Sequence, residues 1–148
     1  MQLSLTRNLV TSLSIMEDRE AIIESESHED KHPSEVEGKA DFSFNVFFEE
    51  KSFFVLFTLE LNSLEGHRIK TIYKSIFHTD EEINEEFKSS RFAFINAPAI
   101  AYPFLRAYIS TITLNSGLSP VMLPSVNFIH LWEEKEREKN SVEENPES

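Results

Sequence analysis

Apolar residues recur at two different spacings along the chain, and the change of spacing divides it. Leu3, Leu5, Leu9, Leu13 and Ile15 alternate with polar neighbours such as Ser4, Asn8, Ser12 and Ser14. Alternate residues of a strand share a face, so residues 1–16 are expected to form a long first strand, its leucine face interrupted by Arg7 and Thr11. Ala40, Phe42, Phe44, Val46 and Phe48 repeat the pattern and predict a second strand. Glu49-Glu50-Lys51-Ser52 reads as a short polar turn. Residues 53–61 are apolar at both parities, as in a central strand covered on both faces. Beyond the turn Leu64-Glu65-Gly66-His67, residues 68–78 are rich in Ile, Thr, Tyr and Phe and predict a fourth strand. The short links make these neighbours antiparallel.

The period then lengthens. Thr79 followed by Glu82 spells a capping box, with Asp80 and Glu81 suited to a helix N-terminus, and a short helix to about Ser89 is expected. From Pro98 to Ser116 two apolar rows run at helical spacing: Ile100, Phe104, Ala107 and Leu114, and beside them Ala101, Leu105, Tyr108 and Ile112. Pro98 suits a first turn, Pro103 should kink the helix, and Gly117 should close it. Two rows exceed what one sheet face needs, so a second copy of the same helix is the simplest further partner. A proline-bounded loop, 119–125, leads to a last helix from about Phe128. Its inner face holds Phe128, Leu131 and Trp132, and Glu133 to Lys139 form a charged outer end.

Composition adds boundaries to this pattern. The chain has 148 residues, 26 acids against 14 bases, a net charge of −12, three glycines and no cysteine. All 13 Phe, all three Tyr and the single Trp lie between Phe42 and Trp132, so the core must come from that stretch. Residues 17–41 carry ten acids and three bases, and residues 133–148 seven acids and three bases. The organisation expected is therefore a first strand (1–16), an acidic loop (17–39), a core (40–132), and a charged helix end with its tail (133–148). The charge has the wrong sign for nucleic acid or anionic lipid. The glycines cannot build a phosphate loop, and missing thiols exclude disulfides, thiolate zinc sites and a cysteine nucleophile. No apolar run reaches the ~20 residues of a membrane span, and Met1 to Arg7 lack the pattern of a secretory signal. A cytoplasmic protein is expected.

Candidate chemistry is sparse. His28-Glu29-Asp30-Lys31-His32 spells HExxH, which on a helix sets two zinc-binding histidines and a general-base Glu on one face. Pro33 directly after it and the acidic flanks favour a solvated loop instead. His67, His78 and His130 show no ligand spacing, and no nucleophile elbow occurs. Neither enzyme chemistry, a cofactor nor a metal is expected. What stands out is apolar excess: Phe47, Phe48, Phe53 and Phe54 around one turn, and Val121-Met122-Leu123 in a loop. Most of these belong to core or subunit contacts. The remainder suit a groove that accepts apolar segments of other chains by burial. An acidic periphery would favour basic segments of such clients.

The stretch Ala97-Pro98-Ala99-Ile100-Ala101-Tyr102-Pro103-Phe104-Leu105-Arg106-Ala107-Tyr108-Ile109-Ser110 resembles the proline-kinked helix of the SecB-type protein-export chaperones. Gly117, Pro120, Leu123-Pro124 and Val126-Asn127-Phe128 resemble that family's crossover loop and the opening of its last helix. The resemblance implies an α+β fold, a four-stranded antiparallel sheet with the long helix and the C-terminal helix on one side. It also implies a homotetramer, a dimer of dimers, holding unfolded preproteins without ATP and delivering them to the export ATPase SecA. By position, the client groove would include Phe42, Phe44, Met122, Leu123, Phe128, Leu131 and Trp132. The subunit interface would use Ile100, Phe104, Leu105, Tyr108 and Ile112. Lys70 stands where the family carries the exposed acid that docks SecA. Two further readings stay open: a SecB-like chaperone dedicated to one partner such as an antitoxin, and a module for a small apolar ligand.

Overall fold

The computed structural model describes residues 1–18 and 40–144. Four antiparallel strands, β1 (Leu3–Glu17), β2 (Asp41–Phe48), β3 (Ser52–Asn62) and β4 (His67–Thr79), form one sheet in the order β1-β4-β3-β2. Helices α1 (Glu85–Lys88), α2 (Ala97–Asn115) and α3 (Phe128–Glu144) follow, with a π-helical turn at Phe92–Asn96 leading into α2. The architecture is α+β, as the family resemblance implied.

Strict alternation selects the helix-covered face of β3 and β4. Phe53, Val55, Phe57, Leu59 and Leu61 are buried there, as are Ile69, Tyr73 and Phe77. Phe53 stacks on Phe77, with ring centroids 5.1 Å apart. The opposite parity of β3 differs from expectation. Phe54 and Leu56 are only half-buried, and among the described residues no element covers that face. There Phe47 stacks on Phe54 at 5.0 Å, and the Lys74 ammonium lies 3.9 Å from the Phe54 centroid. The four phenylalanines of the β2–β3 turn therefore divide, Phe48 and Phe53 packing towards the helices and Phe47 and Phe54 away from them.

β1 also departs from simple alternation. Its register against β4 slips between Leu5 and Arg7 and again between Val10 and Ser12. Each slip adds one residue and reverses the side-chain parity. Leu3, Leu5, Leu13 and Ile15 pair with Thr79, Phe77, Thr71 and Ile69 on the helix side, but Leu9 pairs with Lys74 on the other. The two inserted threonines are fixed by hydroxyl donation to β4, Thr6 to the Ile76 carbonyl (3.2 Å) and Thr11 to the Ile72 carbonyl (3.0 Å).

The expected capping box at Thr79 does not form. Thr79 ends β4, and its hydroxyl donates to the Glu81 carbonyl at 2.6 Å. Asp80 instead accepts from the Gln2 amide (2.8 Å), tying the start of β1 to the end of β4. The helix starts later, at Glu85, where Asn84 Oδ1 accepts from the Phe87 amide. α2 holds Pro98 in its first turn and Pro103 in its interior. Proline has no N–H, so the Ala99 carbonyl loses its intrahelical donor. The helix closes as expected: Gly117 adopts φ +83°, its amide donates to Leu114, and the Leu118 amide donates to Thr113.

Candidate functional site

The site is the seam where α2, the crossover loop 116–127 and the first turns of α3 meet β2. Polar staples set the path of that loop. The buried Tyr102 hydroxyl donates to the Pro124 carbonyl at 2.6 Å, and Arg106 Nε donates to the Leu123 carbonyl at 3.0 Å. Thr113, fully buried, donates to the Ile109 carbonyl and accepts from the Val121 amide (2.9 Å). The Ser119 amide donates to Glu65 Oε1 at 2.9 Å, anchoring the loop to the β3–β4 turn. Burial pushes the Tyr102 hydroxyl up from its ordinary range, only partly offset by the Arg106 cation, so it stays a proton donor. Burial also pushes Glu65 up, but the hydrogen bonds from Ser119 and the nearby His67 outweigh it and hold the carboxyl low.

α3 starts from an Asn127 cap, whose Oδ1 accepts from the His130 amide (3.1 Å). The start drives Phe128 into an aromatic nest, edge-on to Phe44 at 5.5 Å and to Tyr102 at 5.7 Å. Phe42 joins the same nest, 5.5 Å from Tyr102. Beside it opens a cleft of about 440 Å³ lined by Ile95, Ala99, Ser125, Val126, Asn127, Phe128 and Ile129. Of the seven expected groove residues, Phe44, Leu123 and Phe128 are buried inside the subunit. In the subunit Phe44 and Phe128 pack edge-on in the aromatic nest with Phe42 and Tyr102, and Leu123 is held beneath the loop by the Arg106 bond to its carbonyl. Phe42, Leu131 and Trp132 are half-buried against the core, and Met122 is 73% exposed. Sequence reasoning missed Ile95 and Ile129, which both line the cleft, Ile129 being exposed, and also the exposed Phe92. Ile129 directly follows Phe128 in a helix whose apolar face was assigned by spacing, so its neighbour looked merely superfluous.

The expected interface residues also divide. Leu105 is correct in helix but wrong in face, since it is fully buried within the subunit with Ala101 and Ile109. Tyr108 and Ile112 are half-buried, Tyr108 stacking on Tyr73 at 5.4 Å. Burial raises both tyrosine hydroxyls above their usual range. Ile100 (47% exposed), Phe104 (49%) and Leu114 (58%) form the open apolar row of α2. The HExxH stretch 28–32 and the rest of the acidic loop from residue 19 lie outside the described residues. Among the described residues no three His, Asp or Glu side chains come together as metal ligands, and no helix is long and apolar enough to cross a membrane.

Fold and site together define an α+β protein with an exposed apolar cleft where the crossover loop and the terminal helix meet the start of α2. The family described as preprotein translocase subunit SecB matches residues 27–139, and the chain belongs to that family. It is 40% identical over 63 residues to the Methanocaldococcus jannaschii protein MJ0357, a match covering 41% of either chain. It is 32% identical over 88 residues to the protein-export protein SecB of Roseobacter denitrificans, covering 60% of this chain and 46% of that one. In both cases the chain spans less than half of the relative's length. The fold is similar to that of a SecB-like chaperone of Mycobacterium tuberculosis, solved with a ChAD peptide from the HigA1 antitoxin. That match has a TM-score of 0.59 at 12% identity over 84% of this chain and 88% of the other.

Proposed function

We propose that this protein is an ATP-independent, cytoplasmic holdase that keeps apolar segments of unfolded precursor proteins extended and apart. The observation that carries the reading is unspent apolar surface around the seam: Ile129 stands exposed on the apolar cleft and Met122 on the crossover loop, while Leu131, Trp132 and Phe42 are only half-buried. At roughly 25 cal/mol per Å² of apolar surface buried, such a groove gains from any oily stretch without demanding a particular sequence. Holding a client needs no reacting group and no cofactor. The open row Ile100, Phe104 and Leu114 supports assembly of subunits through α2, in a homotetramer built as a dimer of dimers. The test is aggregation of a chemically denatured client on dilution. Suppression at about one tetramer per client chain is expected, and unabated aggregation at tenfold excess would remove the reading.

A second reading keeps the groove and changes the client. Lys70, its side chain 57% exposed and 3.8 Å from Glu60, stands where the resemblance places an acid for SecA. That substitution, with the antitoxin peptide held by the mycobacterial fold relative, supports a chaperone dedicated to one partner. Pull-down against SecA and against neighbouring gene products separates the two.

A further inference from the structure

The sheet has a second face, turned away from the helices, and the strand registers place its residues row by row. Arg7, Ile76, Phe54 and Phe47 lie across one row, and Leu9, Lys74, Leu56 and Asn45 across the next. Ile72 follows on β4 in a third row, between Ser12 and Thr58. Phe47 is 45% exposed, and Leu9, Phe54, Leu56, Ile72 and Ile76 are half-buried. Directly opposite or diagonal to one another, these six make a continuous apolar patch that no described element covers. The patch also holds cations without acids. Lys74 stands at its centre, its ammonium 3.9 Å from the Phe54 centroid, and Arg7 lies at its edge. Among the described residues neither has a carboxylate partner. Arg68 and Lys70, further along β4 on the same face, meet Asp18 at 3.2 Å and Glu60 at 3.8 Å. In a chain with 26 acids and 14 bases, two unmatched cations in one apolar patch are a local reversal of charge.

The occupant follows from what the patch can satisfy. β3 and β4 are inner strands with a neighbour on each side, so an extended segment laid across them finds no free ladder for its main chain. A helix satisfies its own main chain, and its width of ~10 Å suits a patch spread over four strands spaced ~4.8 Å apart. Covering the patch strips water from Lys74 and Arg7, and carboxylates of the incoming helix must then meet their charge. A second copy of the same patch brings the same two cations and no acid. Assembly through α2 leaves the face free, because α2 packs on the other side of the sheet, where Tyr108 stacks on Tyr73. We infer that the outer sheet face docks an amphipathic helix of a partner protein, apolar along one stripe and acidic beside it, with Lys74 and Arg7 receiving its carboxylates. The surface is separate from the apolar cleft, so a client and the partner helix can be held at once.

The probe is a dye-labelled helical peptide with a leucine stripe flanked by Glu, Gln or Lys, titrated with the full-length protein and followed by anisotropy. At about 0.15 M salt, where the field of charges beyond ~8 Å is screened, the Glu peptide is expected to bind about 3–10-fold more tightly than the Gln peptide, with Lys weakest. Arg7→Gln/Lys74→Gln should bind the Glu and Gln peptides alike while still suppressing client aggregation, and Phe47→Ser should weaken all three peptides severalfold. Met122→Ser/Ile129→Ser, altered away from this face, should keep the wild-type ranking. Equal affinities in the wild type, or a Glu preference that survives Arg7→Gln/Lys74→Gln, overturns the inference. So does a Glu peptide that binds only after the acids from Glu20 to Glu37 are changed to their amides, which would make the chain's own segment the occupant. A doubling of mass in light scattering that Phe47→Ser abolishes would assign the face to a second copy and overturn it too. Each of these failures leaves the holdase reading standing, since that reading is tested by client aggregation.

Discussion

Replacing Tyr102 with Phe removes one oxygen and tests whether the crossover loop is held where the groove needs it. The Tyr102 hydroxyl is the donor of a 2.6 Å bond to the Pro124 carbonyl, and its ring stays packed against Phe42, Phe57 and Phe128 in the variant. Packing is conserved, so the loss is that of one hydrogen bond. Pro124 is exposed, so water reaches the freed carbonyl and the full penalty of a buried orphan acceptor does not apply. The expected cost is about 1 kcal/mol, a drop of about 2–5 °C in melting temperature. The loss should be local: amides of Met122, Leu123 and Ser125 should exchange faster by about fivefold, those of β3 hardly at all. The hydroxyl also leaves a mark on the pH dependence. Its folded pKa is raised by burial, so its contribution is intact below ~10, the unfolded value, and is lost as pH rises through the folded value. Wild type should thus lose stability in the alkaline range more steeply than Tyr102→Phe, the residual slope belonging to Tyr73 and Tyr108. Unchanged loop exchange, with the same alkaline slope in both proteins, would refute the staple.

Other substitutions separate core, interface and groove. Leu105→Ala should cost about 2–5 kcal/mol in urea unfolding at any protein concentration, because the side chain is enclosed by its own subunit. Ile100→Ser with Phe104→Ser should instead lower the mass seen by light scattering, leaving far-ultraviolet dichroism intact. Gly117→Ala should destabilise by about 1–2 kcal/mol through its φ of +83° alone, since an added Cβ meets nothing within 4 Å. Met122→Ser with Ile129→Ser should weaken suppression of client aggregation severalfold while moving the melting temperature by less than about 1 °C, both side chains being exposed.

Strand and helix positions follow from spacing because burial acts on whole faces at once, whereas the pairing of β1 with β4 does not. A residue-by-residue reading fails where one hydrogen bond outweighs the pattern. Thr6 and Thr11 look like any polar residues of an alternating strand, yet each enters β1 as an extra residue with its hydroxyl on a β4 carbonyl, and Leu9 changes face. Thr79 has the letters of a helix cap but is the last residue of the β4 ladder, and its hydroxyl is already committed to the Glu81 carbonyl. In α2 both rows are apolar, so hydropathy alone cannot say which faces the sheet. Phase is set by residues of other kinds: Ala97 and Ala101, small enough for close approach, and Tyr102 and Thr113, whose hydroxyls hold the loop. Once they turn inward, Leu105 and Ile109 must follow, and Ile100 and Phe104 must face out. The same logic applies to Lys135, which the charge pattern assigns to the exposed end of the last helix. Lys135 lies seven residues after Phe128, two helical turns along the same stripe, a spacing that hydropathy scores as a break in an apolar face. With its ammonium 4.7 Å from the Phe44 centroid, it continues that face through a cation–ring contact that hydropathy does not count.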